Sequence, residues 1–331
     1  MSLPTPSPVV VSLGVHIVDV LGRPVTGIPP GQGSVLLEEI RLTAAGTAAG
    51  TSVDLAKLGA QVIAMGAIGA DALGTLLVSL LEGHGVATTL LARKPGAQTS
   101  ATMLPIRPNG ERPALHVPGA SPHLDLADVD LGVIGAADVL HVGGPDALGR
   151  FLGDPLARVL AAARGHGTLV TMDVLRPGDQ ATFERLRPLL PQVDFFLPNE
   201  DQLLALTGDA DLDAAIGTVL AAGAGCVAVT RGAAGSRVAA AGTDLTVPAL
   251  PVPVVDTTGC GDAFSAGFIV GICRGWDPRR AAELGTAAAA LVAQGLGSDA
   301  VLTDFGQAEG LLADPPAAGP PANDSRGERV P

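Results

Sequence analysis

The chain has 331 residues, of which 47% are hydrophobic and 16% charged, so it can bury a large core and is not a disordered protein. Its formal net charge of −13 excludes a protein that binds nucleic acid along the phosphate backbone, because such proteins carry basic stripes. The odd number of three cysteines argues against a disulfide framework. No run reaches the ~18 apolar residues of a membrane span, and the first residues lack the features of a signal peptide. We therefore predict a cytoplasmic protein without a membrane partner.

Both ends of the chain are rich in Pro, Ser and Gly and contain little that could be buried. We therefore predict a mobile N-terminal tail over residues 1–8 and a disordered C-terminal tail over residues 314–331. A single domain over residues 9–313 is predicted between them.

Within this domain, short β-branched runs alternate with segments of helical periodicity. The repeated order of strand, helix and strand predicts a parallel sheet with helices on both faces. The runs predicted as buried strands are residues 9–13, 61–65, 139–142, 169–173, 195–197 and 226–230. The segments predicted as helices are residues 148–163, 180–190, 211–222 and 278–293.

Two segments, residues 17–42 and 88–117, lack helical periodicity and are punctuated by Pro, Gly and Thr. We predict that they form a small separate sheet that covers a ligand at the edge of the main sheet, with a pair of surface hairpins as the alternative. One apolar face of this lid would meet water, which predicts a homodimer formed through the lid. The side chains assigned to that face are Val18, Val20, Leu104 and Ile106.

The most informative segment is DTTGCGD, residues 256–262, which leads into an apolar helix ending near Arg274. Gly259 and Gly261 allow a tight turn and a close approach of the backbone to a ligand, and the amides at the helix start form an anion site. Asp262 would repel an anion there unless it is a base that accepts the proton of an incoming hydroxyl during phosphoryl transfer. An aspartate that only caps the helix is the alternative.

This segment resembles the DTxGAGD box of the ribokinase-like (PfkB) carbohydrate kinases, and the likeness extends over residues 9–305. The resemblance implies a three-layer, Rossmann-like α/β/α sandwich with a mostly parallel sheet and a small β-sheet lid. It also implies that ATP, with Mg²⁺, phosphorylates a hydroxyl of a small sugar or sugar-like substrate. Asp262 matches the family's catalytic base, and the amides of Gly259, Cys260 and Gly261 match its anion hole. Cys260 replaces the usual alanine, and we interpret it as a spacer rather than a nucleophile, because no basic partner is visible nearby.

The substrate side is implied by two further matches. Gly46, Thr47 and Gly50 align with the family's GGxxxN box, in which small residues let a sugar approach the start of a helix. Ala45 replaces the first glycine, and Gly50 replaces the substrate-binding asparagine. Asp19, after the first strand, falls where the family holds a carboxylate against substrate hydroxyls. Without the family, these would be a glycine-rich turn and a turn-forming aspartate.

The nucleotide side is implied by the segment that contains Asn199. It resembles the NxxE box that acts on magnesium and phosphates, but Gln202 replaces the glutamate, and whether Glu200 or Asp201 compensates stays open. The other matching positions are Thr230, Gly232 and Gly235 of a TxGxxG-like turn that wraps ATP, and Thr286 near the purine pocket.

The resemblance also implies a site for a monovalent cation such as K⁺, because the family has a loop that binds such an ion. It maps onto Asp256, the carbonyl of Thr258 and the turn that contains Gly297. Arg176 stands near a family arginine that lies close to the phosphates, although a solvated loop arginine fits its position equally well.

Other classes of function are less compatible with the sequence. A P-loop kinase needs GxxxxGK[ST], and neither Lys57 nor Lys94 stands in such a motif. A dehydrogenase would carry GxGxxG after the first strand, where this chain has GVHIVD. Two alternatives remain: an adenosine-like nucleoside kinase, and a non-catalytic ligand sensor suggested by Gly50 and Gln202. The presence of Asp262 favours an enzyme.

Overall fold

The computed structural model describes residues 7–108 and 111–314, so nearly all of the two predicted tails lies outside the described residues. The strands are β1 (Val9–Gly14), β2 (Ile17–Arg23), β3 (Glu39–Ala45), β4 (Gln61–Gly69), β5 (Ala87–Lys94), β6 (Ala101–Pro105), β7 (Leu115–Val117), β8 (Val139–Gly143), β9 (Leu169–Asp173), β10 (Phe195–Phe196), β11 (Cys226–Thr230), β12 (Ser236–Ala240) and β13 (Thr243–Val247). The α-helices are α1 (Thr47–Lys57), α2 (Ala72–Gly83), α3 (Leu131–Ala136), α4 (Asp154–His166), α5 (Gln180–Leu186), α6 (Glu200–Thr207), α7 (Leu212–Ala221), α8 (Cys260–Cys273), α9 (Pro278–Val292) and α10 (Phe305–Ala313).

The large sheet has nine strands in the order β13-β12-β11-β10-β9-β8-β1-β4-β5. Every pairing from β11 to β5 is parallel, and β12 and β13 are antiparallel. The six predicted strand segments all lie in this sheet, which confirms the predicted α/β fold. Their β-branched runs suit strands that are buried on both faces.

Two predicted helices differ from the observed ones. The segment predicted as a helix over 148–163 begins with one short 3₁₀ turn, Gly149–Phe151, and α4 starts only at Asp154. Gly149 and Gly153 have φ of 57° and 153°, which end regular helical geometry before that point. The helix predicted over 180–190 stops at Leu186, because Pro188 has no amide N–H with which to continue the hydrogen bonds of the helix.

The small sheet has the strand order β3-β2-β6-β7. The predicted lid segment 17–42 contributes β2 and most of β3, and 88–117 contributes β6 and β7. The start of the second segment was misassigned, because β5 pairs with β4 at the edge of the large sheet. An edge strand is open to solvent on one side, and the alternating exposure of β5 gives it the same sequence pattern as a lid strand.

The outer face of the small sheet is apolar, but its residues differ from those predicted. Leu104 and Ile106 are buried on the opposite face, because side chains alternate along a strand and Leu104 follows the outward-facing Met103. Val18 is fully buried, and Val20, which pairs with Met103, is half-buried. The large side chains exposed on these strands are Ile40, Leu42, Met103, Leu115 and Val117.

Close helix packing fixes the start of α8 over the carboxyl edge of the large sheet. At the crossing of α8 and α9, a Cβ on Gly267 would lie 2.7 Å from the Cα of Gly285. Phe264 and Phe268 on α8 are buried and stack on each other with ring centroids 6.1 Å apart. Within the described residues, no helix is both long and apolar enough to cross a membrane.

Candidate active site

A cavity of about 910 Å³ lies between the carboxyl edge of the large sheet and the small sheet. Its volume suits a ligand of nucleotide size. Most of the predicted site residues line it, whereas Gly50, Asp256 and Gly297 do not. The predicted residues that it brings together are Asp19, Gly46, Thr47, Asn199, Thr230, Gly232, Gly235, Thr258, Gly259, Cys260, Gly261, Asp262 and Thr286.

The turn before α8 has the geometry of an anion site. Gly259 is the N-cap residue of α8 with φ = 79°, and a Cβ there would lie 2.4 Å from the Cα of Ser298. Amides in the first turn of a helix lack partners within the helix and so attract anions. Gly261 does not turn the chain as predicted, because it already belongs to α8 and its φ is not positive. A Cβ on Gly261 would meet nothing within 4 Å, so its value is the open space it leaves for a ligand.

Asp262 lies in the first turn of α8 and lines the cavity while remaining half-buried. Burial raises the pKa of its carboxyl to about 7, the negative charge of Asp19 adds to this, and the Arg112 guanidinium opposes it. A carboxylate with a pKa near neutrality can both accept a proton and release it again.

Gly50 lies behind Asp262 rather than at the substrate wall. A Cβ on Gly50 would be 2.3 Å from Oδ2 of Asp262, so any side chain at position 50 would displace the carboxylate. The glycine that replaces the family's asparagine therefore leaves room for Asp262 against α1. At the start of α1, Gly46 has φ = 86°. The Thr47 hydroxyl, at the cavity wall, is buried without a partner among the described residues.

Asp19 projects from β2 into the cavity and is 6% exposed. Burial raises the pKa of its carboxyl to about 6, which a hydrogen bond from Thr102 and the charge of Arg112 partly oppose. The Thr102 hydroxyl also lies 3.1 Å from Nδ1 of His116, which likewise lines the cavity. The small sheet thus holds a buried acceptor over the cavity, as a substrate with neighbouring hydroxyls requires.

Arg112 and Asp173 line the cavity although the sequence reading did not single them out. Nη1 of Arg112 donates to Oγ1 of Thr258 over 2.6 Å, which joins the small sheet to the anion turn. Burial and then the charge of Asp262 raise the pKa of Asp173 well above its ordinary value. Asp173 ends a predicted parallel strand, and ligand sites concentrate at such strand ends, so its position in the sequence could have identified it as a candidate site residue. For Arg112, only its position within a predicted lid segment indicated that it could line the cavity.

Asn199 and Gln202 hold the start of α6 through a reciprocal capping box. Oδ1 of Asn199 accepts from the amide of Gln202, and Oε1 of Gln202 accepts from the amide of Asn199, both over 2.8 Å. Nε2 of Gln202 also donates to the carbonyl of Val174, a bond that a glutamate could not make. Glu200 and Asp201, which could have compensated for the missing glutamate, do not line the cavity. Glu200 pairs with Arg231 at 3.3 Å, and Asp201 is exposed.

The far end of the cavity is formed by a turn and an apolar wall. Gly232 and Gly235 have φ of 53° and 83° in the turn after β11, next to Thr230. Thr286 is buried in α9, and its hydroxyl donates a hydrogen bond to the carbonyl of Ala282 in the preceding turn of the same helix. The apolar residues of this wall include Leu197, Leu250, Val252, Val254, Ala289 and Ala293. A flat, uncharged ring such as a purine would fit against them.

The predicted cation-site residues are joined directly to one another. Oδ1 of Asp256 accepts from the amide and hydroxyl of Thr258, and Oδ2 accepts from the amide of Gly297 over 3.0 Å. These bonds connect the anion turn to the turn after α9.

Arg176 lines the cavity and a side pocket of about 210 Å³, and its Nε lies 3.6 Å from Oδ2 of Asp146. Its side chain is 60% exposed. The guanidinium thus remains accessible to a ligand while it is also solvated.

Cys260 has the environment of a spacer. Burial raises the pKa of its thiol to about 12, so the nucleophilic thiolate is scarce at neutral pH.

Comparison with known proteins connects this geometry to a family. The sequence profile of the pfkB family carbohydrate kinases matches residues 9–304. A 2-dehydro-3-deoxygluconokinase from Thermoproteus tenax is 31% identical over 279 residues, which cover 81% of this chain and 85% of that protein. A fructokinase-2 from Zea mays is 28% identical over 237 residues, which cover 69% of this chain and 71% of that protein.

Solved structures give the same fold. An Arabidopsis thaliana ribokinase complexed with ribose and ATP has a TM-score of 0.77 at 25% identity, covering 92% of this chain and 99% of its own. A candidate ribokinase II from E. coli, in complex with ATP and Mg²⁺, has a TM-score of 0.81 at 21% identity, covering 93% and 99%. The chain therefore belongs to the pfkB family of carbohydrate kinases. It is a phosphotransferase that acts on a hydroxyl group.

The two glycines of the anion turn should respond differently to substitution. We expect Gly261→Val to lower kcat by ~10²-fold or more without lowering Tm, because its side chain would fill the space beside the anion-binding amides. Gly259→Ala should instead lower the free energy of unfolding by ~1–3 kcal/mol, because alanine is strained at positive φ and would meet Ser298. Turnover and thermal unfolding of both variants check this. Wild-type turnover in folded Gly261→Val would contradict the assignment of the anion site.

Proposed function

We propose that the chain transfers the γ-phosphate of ATP to a hydroxyl of a small sugar, with Asp262 as the general base. The amides of Gly259, Cys260 and Gly261 form the anion hole. The observation that carries this proposal is the position of Asp262, whose carboxyl has a pKa of about 7, in the same helical turn as those amides. A protein that only binds its ligand has no use for a proton acceptor there, which disfavours a sensor.

The two ends of the cavity suit two substrates. The buried carboxylate of Asp19 and the unpartnered hydroxyl of Thr47 would bind sugar hydroxyls at one end. The turn from Thr230 to Gly235 and the apolar wall would hold ATP at the other. The ribose and ATP named for the Arabidopsis thaliana ribokinase are consistent with this division. Asn199 would contact the phosphates through the exposed edge of its amide.

The proposed step follows from these positions. The sugar hydroxyl donates its proton to Asp262 while its oxygen forms a bond to the γ-phosphorus. The bond from that phosphorus to the β–γ bridging oxygen breaks, and its electron pair leaves with ADP. The amides of the anion turn stabilise the charge on the equatorial oxygens during transfer. Products are the sugar phosphate, ADP and a protonated Asp262, which returns its proton to solvent.

Mg²⁺ would neutralise the charge on the phosphates when it enters with ATP. Glu200 and Asp201 stand away from the cavity, so protein carboxylates of this box do not hold the ion, and the fit is to a metal carried mainly by ATP. Dependence on K⁺ stays a prediction. Asp256 already joins Thr258 and Gly297 through hydrogen bonds, so an ion would bind to carbonyl oxygens around this existing connection.

The acceptor defines the main alternative, a nucleoside kinase. A buried carboxylate suits the diol of a ribonucleoside as well as that of a sugar, and an adenosine kinase from Sinorhizobium meliloti shares the fold with a TM-score of 0.74. Release of ADP should be measured over a panel of hexoses, pentoses, sugar acids and nucleosides. Activity confined to nucleosides would replace the sugar assignment, and ligand binding without ADP release would favour the sensor.

We propose the cytoplasm as the location of the protein, because three unpaired cysteines suit a reducing compartment.

Asp262→Asn should abolish most turnover while leaving ATP binding intact. An amide keeps the size of the side chain but cannot accept the hydroxyl proton, so we expect kcat to fall by ~10² to 10⁴-fold. Asp277→Asn, at the N-cap of α9, is the matched control and should behave as wild type. Steady-state kinetics and calorimetric titration with ATP check both variants. If Asp262→Asn keeps more than about a tenth of the wild-type kcat, Asp262 is not the base.

The raised pKa of Asp262 predicts a pH dependence. Below this pKa the carboxyl is protonated and cannot act as a base, so kcat/KM for the sugar should fall as the pH decreases through about 7. The profile is measured at saturating MgATP between about pH 5.5 and 8.5. A kcat/KM that stays constant down to about pH 5.5, as expected for an aspartate with an ordinary pKa of about 4, would contradict the desolvated base.

We also propose that the chain forms a homodimer through the outer face of the small sheet. Five large apolar side chains are exposed on its strands, a patch that a second copy could cover. Light scattering should therefore give twice the chain mass of 32.9 kDa for the wild type. Met103→Glu should shift the mass to that of a monomer, whereas Ile28→Glu, exposed but outside the strands, should not. A monomeric wild type would contradict the dimer.

A further inference from the structure

Asp54 is a fully buried carboxyl that the proposed reaction does not use. It lies in α1 with 0% exposure, and neither of its side-chain oxygens has a hydrogen-bond partner among the described residues. The helices α1 and α8 otherwise contribute to one apolar core cluster, with Val53 and Leu55 from α1 and Ala266 and Ile269 from α8. An apolar side chain at position 54 would avoid the cost of desolvating a carboxyl, so Asp54 calls for a functional explanation.

The backbone of α1 directs Asp54 toward Asp262. A side chain in a helix leans toward the N-terminus and covers the residue four positions before it, which for Asp54 is Gly50. A Cβ on Gly50 would lie 2.3 Å from Oδ2 of Asp262, so this oxygen lies directly over the glycine. The carboxyl of Asp54 therefore approaches that of Asp262 from the next turn of α1. Consistent with this approach, the negative charge of Asp262 raises the pKa of Asp54.

Asp54 keeps its proton while Asp262 acts as a base. Burial raises the pKa of Asp54 well above its ordinary value; the positive charge of Lys57 opposes this, and the negative charges of Asp262 and Asp299 add to it. Asp54 is buried more deeply than Asp262, which is half-buried. Once Asp262 has ionised, its charge further disfavours a second carboxylate beside it. Asp54 is therefore a neutral carboxyl with an O–H that it can donate.

The ammonium of Lys57 is held by Asp299 rather than by Asp54. Its Nζ lies 4.0 Å from Oδ1 of Asp54, but it donates to the backbone carbonyl of Asp299 over 2.6 Å. Arg41 and His84 lie beside the carboxyl of Asp299, at 3.0 and 3.5 Å. Lys57 therefore gives Asp54 a nearby charge but no hydrogen bond.

Two other titratable groups adjoin α1, and both are uncharged at neutral pH. His141 on β8 has its Nε2 3.3 Å from the carbonyl oxygen of Thr47, and burial lowers its pKa to about 4. Cys260 lies at the start of α8, and burial raises its pKa to about 12. The balance of charge around Asp54 is thus set by Lys57, Asp262 and Asp299.

The facing helices also carry hydroxyls that could hold a water between the two carboxyls. Thr51 on α1 and Ser265 on α8 are buried, and their hydroxyl oxygens have no hydrogen-bond partner among the described residues. Ser265 lies one turn after Asp262 on α8, which packs against α1. A buried water needs two to four polar partners, and these groups supply them.

We propose that Asp54 is a positioning residue whose O–H donates a hydrogen bond toward Oδ2 of Asp262, directly or through one bridging water. This inference rests on the proposed kinase function and assigns to α1 a part in orienting the base. A bond at Oδ2 fixes the plane of the carboxylate and leaves Oδ1 for the proton of the sugar hydroxyl. The bond also stabilises the ionised form of Asp262, the form that can act as a base.

The experiment compares Asp54→Leu, Asp54→Ala and Asp54→Asn with Ser52→Ala. Leucine and alanine remove the donor, whereas asparagine keeps an N–H donor and cannot ionise. Ser52 is the control, because it is buried in the same helix and its hydroxyl is already bonded to the carbonyl of Ala48 over 2.7 Å. Each variant is assayed for kcat, for KM of ATP and for the pH profile of kcat/KM for the sugar.

Loss of the donor should impair the base without impairing nucleotide binding. We expect Asp54→Leu and Asp54→Ala to lower kcat by about tenfold at pH values above the acidic limb. Their acidic limb should move upward by at least about half a pH unit, because the ionised form of Asp262 loses a hydrogen bond. Asp54→Asn should keep kcat within about threefold of wild type and leave the limb in place, and KM for ATP should stay within about twofold in every variant.

The direction of the shift decides between a neutral and a charged Asp54. If Asp54 were ionised, its removal would lower the pKa of Asp262, so a limb that moves downward in Asp54→Leu and Asp54→Asn overturns the inference. It is also overturned if Asp54→Ala behaves as Ser52→Ala does, or if Asp54→Asn loses as much activity as Asp54→Ala. Asp54→Ala alone gives the test if the leucine variant does not fold. A wild type that phosphorylates no acceptor would refute the proposed function itself, a result distinct from an active wild type with an indifferent Asp54.

Discussion

The proposed phosphoryl transfer places a phosphate next to the carboxylate of Asp262, and several features of the cavity reduce the repulsion between the two groups. Desolvation by the cavity walls raises the pKa of Asp262 to about 7, so the negative charge beside the anion turn is partly removed by protonation. The amides of that turn and the positive charge of the Arg112 guanidinium offset the negative charge that remains on Asp262. Gly50 gives the carboxylate space to lie against α1. As the proposed base, Asp262 can therefore lie close to the path of the phosphoryl group without excluding it.

The sequence predicted the parts of this site that are local in the chain. DTTGCGD places glycines, amides and a carboxylate within one turn, and strand periodicity predicts the sheet that carries it. Contacts between distant segments were not predictable in the same way. Gly50 was assigned to the substrate, but the structure places it against Asp262, a neighbour that no local pattern reveals. The start of the lid was misplaced because the edge strand β5 alternates in exposure as a lid strand does.

The departures from the family pattern become intelligible through their hydrogen bonds. Gln202, in place of a glutamate, satisfies the carbonyl of Val174 with an N–H that a carboxylate lacks, and its oxygen completes the cap of α6. A glutamate there would bring its charge toward a buried carbonyl oxygen. The substitution thus exchanges a group that can act on a metal for one that fixes the segment after β9 to the start of α6. Cys260 is similarly accommodated, since its thiol remains protonated.

The glycine crossing of α8 and α9 determines which parts of the enzyme are able to move. Gly267 and Gly285 bring the two backbones into contact, which opposes a shift of α8, the helix with Asp262, along α9, the helix with Thr286 at the cavity wall. This contact therefore holds Asp262 and the wall that contains Thr286 in a defined relative position. Any opening of the cavity would therefore have to come from the small sheet, which carries Asp19 on β2. Entry and release of a ligand would then depend on the small sheet and not on α8.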